Sequence, residues 1–140
     1  VKRRLSDRRG DRGKRIDLHS VASADGDGLP PAFAFDRMRS GYTLDDCRAH
    51  GFAEHLVEAI WRRCALTWRG LLLSSHWGNG FEHVPQSKVT NDGIPGMTPD
   101  QKLLVLRFAN KDGRIVGYRE GRIYHVLWVD TDLSLYDHGS

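Results

Sequence analysis

What the chain lacks narrows it first. Across its 140 residues no apolar run reaches the length of a membrane-spanning helix, about 18 residues, and no apolar segment near the start reads as a signal peptide. Cysteine is scarce. Cys47 and Cys64 have neither disulfide-framework nor zinc-finger spacing, which predicts reduced thiols in a cytoplasmic protein with no membrane association. There is no G-x-x-x-x-G-K-[ST], no G-x-G-x-x-G after a strand and no G-x-S-x-G, so nucleotide-cofactor and serine-hydrolase chemistry have no motif to rest on. The histidine pairs His50/His55 and His76/His83 do not match a CxxC or HExxH ligand spacing, so neither a metal nor any other cofactor is expected.

Charge is present but unevenly placed. Residues 1–15 hold eight Lys/Arg against Asp7 and Asp11, a local +6 within a whole-chain +3, so residues 16–140 sum to −3. The cations are mostly arginine, as suits a GC-rich bacterial genome. Residues 1–30 are polar and poor in large apolar side chains, too poor to offset the entropy of ordering, and are expected to form a basic disordered tail. Residues 31–140 are expected to form one domain.

Pro30-Pro31 precedes Ala32-Phe33-Ala34-Phe35, a short apolar stretch suited to a strand or a docking segment. Thr43, followed by Leu44-Asp45-Asp46, is a good N-cap with acids in the first turn, which predicts a short helix to His50. Gly51 interrupts it. Phe52 to Cys64 is the best helical pattern, with Phe52, Leu56, Ile60 and Trp61 recurring at three-to-four spacing and Glu58 placed to pair with Arg62. Thr67 caps a further helix from Trp68 to Ser75.

The strongest pattern is the last third, KLLVLRFANKDGRIVGYREGRIYHVLWVDTDLSLYDH, from Lys102 to His138. Four apolar runs separated by Lys111-Asp112-Gly113, Glu120-Gly121 and Thr131-Asp132 read as strands joined by tight hairpins. The expected fold is therefore α+β, with N-terminal helices packed on a four-stranded antiparallel meander. Two-residue turns at Glu120-Gly121 and Thr131-Asp132 would set Val116 opposite His125, Leu127 opposite Tyr136 and His125 opposite His138. Because side chains alternate, parity assigns the faces. Leu104, Leu106, Phe108, Ile115, Tyr124, Val126, Trp128, Leu133 and Leu135 form a core face. Arg107, Tyr118, His125, Tyr136 and His138 share the other with Val105, Val116, Leu127 and Val129.

That second face is the leading candidate site. A histidine or tyrosine can take the proton of a ribose 2′-hydroxyl or protonate a leaving oxygen, and an arginine can stabilise charge developing on the phosphate. Such RNA cleavage needs no metal, because the nucleophile belongs to the substrate. His and Tyr also simply suit strands, which is the plainer account. A second candidate is the glycine-rich stretch from His76 to Pro85, where His76, Glu82 and His83 could supply an acid–base pair and backbone amides an anion site. Glu82 could equally just pair with a surface cation.

Helices followed by a small antiparallel meander, with KLLVLRFANKDGRIVGYREGRIYHVLWVDTDLSLYDH closing the chain, resemble the RelE/ParE-type toxins of bacterial toxin–antitoxin pairs and, more broadly, compact barnase/RelE-fold ribonucleases. The resemblance covers roughly residues 44–140 and lies in the order of elements. It implies an active site on the sheet, with Arg107, Arg119 and His125 at mid-sheet and Tyr136 and His138 at the terminal position, and an antitoxin that masks it. The combined expectation is a metal-independent endoribonuclease-like toxin acting on RNA. His125, His138, Tyr136, Arg107 and His76 are its catalytic candidates. Arg119, Arg122, Tyr118 and His83 are its substrate contacts. The alternative is a non-catalytic module that binds a protein through the sheet face or edge.

Overall fold

The computed structural model describes residues 26–74 and 80–137. The element order is β1 (Ala32–Ala34), α1 (Leu44–Ala49), α2 (Ala53–Cys64), α3 (Trp68–Leu73), β2 (Phe81–Pro85), a short 3-10 turn (Gln86–Lys88), β3 (Lys102–Phe108), β4 (Gly113–Glu120) and β5 (Ile123–Asp130). The class is α+β. The sheet differs from the expected four-stranded meander: it has five strands in the order β1-β5-β4-β3-β2, and β1 runs parallel to β5 while the other pairs are antiparallel.

The helices form where the local chemistry demands. Thr43 accepts the Asp46 amide and Asp46 accepts the Thr43 amide, a capping box that starts α1. Thr67 caps α3 in one direction only, its side chain accepting the Gly70 amide. Helix α2 presents Leu56, Ala59 and Arg63 inward and half-buries Phe52 and Ile60. Trp61, expected on the same apolar stripe, points the other way and is 74% exposed.

Three of the four C-terminal runs are strands. The fourth is not over its described residues, Leu133 to Asp137, because Asp130 diverts its backbone: one carboxylate oxygen accepts the Asp132 and Ser134 amides and the other accepts the Leu135 amide. Side-chain capture of this kind competes directly with a ladder. The vacant edge beside β3 is taken by β2, from the stretch expected to be loop, with Phe81 opposite Leu106 and Pro85 opposite Lys102.

The hairpin loops preserve the expected parity over most of the sheet. Phe108 pairs with Gly113 across a four-residue loop, and Glu120 pairs with Ile123 across Gly121-Arg122, so Tyr118 rather than Val116 lies opposite His125. Between Val116 and Gly117 the register slips, leaving Leu127 as an extra residue on β5. This bulge inverts the rest of the strand: Trp128 moves to the face of Val116 and Val129 to the face of Ile115, the reverse of strict alternation. Gly117 is the residue that allows it, since a Cβ there would lie 2.0 Å from the His125 carbonyl oxygen.

Both faces are covered. Leu104, Leu106, Phe108, Ile115, Tyr124, Val126 and Val129 pack under the helices against Leu56, Trp68 and Leu71. The other face buries Leu103, Val105, Val116, Tyr118, Leu127 and Trp128 under Ile94, Val89, Met97, Tyr42, Leu135 and Tyr136. Leu135 therefore belongs to the second core, and Leu133 is exposed at a positive φ of 59°. Packing also reaches back before residue 31. Gly26 lies against the Gly121-Arg122 turn, Asp27 pairs with Arg119 at 2.7 Å, and the Leu29 carbonyl accepts the Trp68 amide. Residues 1–25 of the expected tail lie outside the described residues.

Candidate functional site

The face expected to carry one constellation carries two, at opposite ends of the strands. Tyr118 and Arg114 are four residues apart on β4, about 13 Å at roughly 3.3 Å per residue, with the apolar row Val105, Val116, Trp128 between them.

At one end His125 is 4% exposed, its ring 4.9 Å from that of Tyr118 and its Nε2 3.2 Å from Glu120 Oε1. The Arg37 guanidinium donates to the Tyr118 hydroxyl and closes this end. His125 Nδ1 is buried without a hydrogen-bond partner among the described residues. This is a packed pair, shielded from any substrate that would need to reach an imidazole.

At the other end, Arg107 on β3, Arg114 on β4 and Asp130 on β5 form one row across the sheet, and Glu82 on β2 stands one row away. The Tyr136 hydroxyl donates to Glu82 Oε1 at 2.8 Å, and Arg114 Nε lies 3.8 Å from the same oxygen. The turn anchored by Asp130 delivers Tyr136 to this position. Burial, then its hydrogen bond to the Glu82 carboxylate, pushes the Tyr136 phenol well above its ordinary pKa, so it remains a donor at neutral pH. Arg107 reaches round the edge to the Phe81 carbonyl at 3.0 Å, and Arg114 holds the Lys111 and Gly113 carbonyls at 2.5 and 3.0 Å. Arg107 and Arg114 are thus paired residues across β3 and β4 that bring two cations to this end of the sheet, where like charges on opposed positions favour a nearby anion. Glu82, at 36% side-chain exposure, is the open member of the group.

The remaining sequence candidates fall elsewhere. Arg119 lies on the helix face, stacked 4.3 Å over Trp68 and paired with Asp27, and so cannot share a mid-sheet site with His125. Arg122 sits in the turn and binds the Pro30 carbonyl at 3.0 Å. His83 alternates away from Glu82 to the helix side, edge-on to Phe81 at 5.7 Å, so the two cannot form the acid–base pair their adjacency suggests. His76 and His138 lie outside the described residues.

Arg114 and Asp130 entered no constellation on the sequence. The parity of β4 already placed Arg114 with Val116 and Tyr118, which was the available signal. Nothing local announced that Tyr136 would reach Glu82. Among the described residues no group of three or more His, Cys, Asp or Glu side chains could hold a metal ion, and no helix is long and apolar enough to cross a membrane. No protein family, no curated protein and no solved structure matches the chain.

Proposed function

We propose that the chain is a small metal-independent endoribonuclease-like toxin of a bacterial toxin–antitoxin pair, with its chemistry at Glu82, Tyr136, Arg107 and Arg114 rather than at His125. The observation that carries this reading is the single carboxylate oxygen of Glu82 shared by the Tyr136 hydroxyl and Arg114, with Arg107 paired to Arg114 across the strands. Glu82 takes the proton of the ribose 2′-hydroxyl as that oxygen attacks the adjacent phosphorus. Arg107 and Arg114 stabilise the added charge on the phosphate oxygens. The 5′ oxygen leaves with a proton from a separate acid, for which His138, two positions after Tyr136 in sequence, is our candidate. Tyr136 keeps the carboxylate oriented. An antitoxin would act by covering this end of the sheet.

Induced expression in a bacterial host, with total RNA examined alongside growth, tests the reading. Wild type should arrest growth and cleave RNA. Glu82→Gln should reduce cleavage at least about 100-fold with an unchanged melting temperature, and His125→Gln should leave it intact. Intact RNA with soluble, folded wild-type protein would overturn the proposal.

The alternative, a protein-binding module using the sheet face or edge, has less support. The face is covered by Ile94, Met97 and Tyr136. On the outer edge of β2, Arg107 already occupies the Phe81 carbonyl and Pro85 has no N–H to offer, so an added strand finds few groups to pair with.

A further inference from the structure

Helix α2 buries one side and leaves the other bare. Ala53, Val57 and Trp61 recur at four-residue spacing, with Val57 67% and Trp61 74% exposed, and line a groove of about 410 Å³ with Glu54 and Glu58. Glu54, Glu58 and Arg62 repeat the same spacing one residue on, so a charged row flanks the apolar row.

We propose that this face docks onto the same face of a second copy of the chain, the two α2 helices running antiparallel about a twofold axis near Val57. The pattern is complementary to itself in three respects. With Val57 on the axis, the bulky Trp61 of each copy meets the small Ala53 of the other, in the groove beside it. The flanking rows then lie against each other reversed, which brings Glu54 of each copy to Arg62 of the other. The helix dipoles also oppose, the acidic first turn of one lying by the basic last turn of its mate. Glu58 approaches its own symmetry mate, and Arg62, 2.6 Å from it on the same helix, is the cation it shares with Glu54 of the other copy. A twofold contact of this kind uses one patch twice and closes on itself. A single twelve-residue helix buries less than the area of a tight permanent dimer, so the association is concentration-dependent, with a dissociation constant on the order of micromolar.

This contact is independent of the chemistry assigned to Glu82. Sedimentation of the full chain across roughly two decades of concentration about that range tests it, with far-UV circular dichroism to verify each variant's fold. Wild type should pass from monomer to dimer. Trp61→Ala and Arg62→Glu should each weaken the dimer about tenfold or more. The double variant Glu54→Arg/Arg62→Glu should restore it, since the swap recreates both the Glu–Arg contact between copies and an i,i+4 pair with Glu58. A wild type that stays monomeric throughout would overturn the proposal. So would a dimer indifferent to Trp61→Ala, which would place the contact elsewhere. Failure of the charge swap to rescue Arg62→Glu would overturn the antiparallel register.

Discussion

Arg63 is a cation buried in the core: it is 1% exposed, and its guanidinium donates to the Arg107 carbonyl at 2.7 Å and the Ala59 carbonyl at 3.3 Å. Burial lowers its pKa to about 10, which still leaves it charged at neutral pH. Its work is to tie α2 to the end of β3, next to the edge where Arg107 and Glu82 stand. Removing it strands buried carbonyls and opens a void. Arg63→Ala should therefore destabilise the fold by about 3 kcal/mol, seen as a lower urea midpoint; a midpoint equal to wild type would show that the cation contributes nothing net.

At the scale of elements, the β5 bulge decides more than any strand length. Without it Trp128 would lie under the helices and Val129 under the loop 86–101, each on the wrong side for its volume. Gly117 makes the close approach of β4 and β5 feasible, and the nearest obstacle to a side chain is backbone, which cannot swing aside. Gly117→Ala should cost about 3 kcal/mol in chemical denaturation, while Gly93→Ala, where no atom lies within 4 Å of the new Cβ but φ is +76°, should cost only about 1 kcal/mol. Equal losses at the two sites would argue against a steric role for the bulge. The flanking strands were readable from alternation alone. The bulge was not, since it arises from how two strands press together and leaves no mark in the period of either.

At the scale of the whole molecule, two buried phenols make stability depend on alkaline pH. Burial raises Tyr124 well above 10.0, and Tyr136 is raised as well. Between the unfolded value and their folded values the unfolded chain has lost protons that the folded chain keeps, so their stabilisation is complete below about pH 10 and falls as pH rises. Arg63 acts in the opposite sense in the same window, because its folded pKa is lowered. Tyr124 donates to the Leu104 and Ile115 carbonyls at 2.5 and 3.0 Å, so Tyr124→Phe should lose about 1–2 kcal/mol at neutral pH. It should also lose less than wild type between about pH 9 and about pH 11. Parallel pH profiles for the two proteins would refute the linkage.

Sequence alone determined what depends on neighbours along the chain. The capped helix at Thr43, the three strands from Lys102 to Asp130 and the face of every residue before the bulge come from caps, turns and a period of two. Tertiary structure decided what depends on meeting distant parts: that β1 and β2 complete the sheet, that Asp130 turns the last segment away from a fourth strand, and that Tyr136 meets Glu82 while His125 is sealed against Tyr118. The physical reason is that periodicity records which way a side chain points, whereas the segment that covers a face is chosen by competition among all the apolar surface the chain must bury.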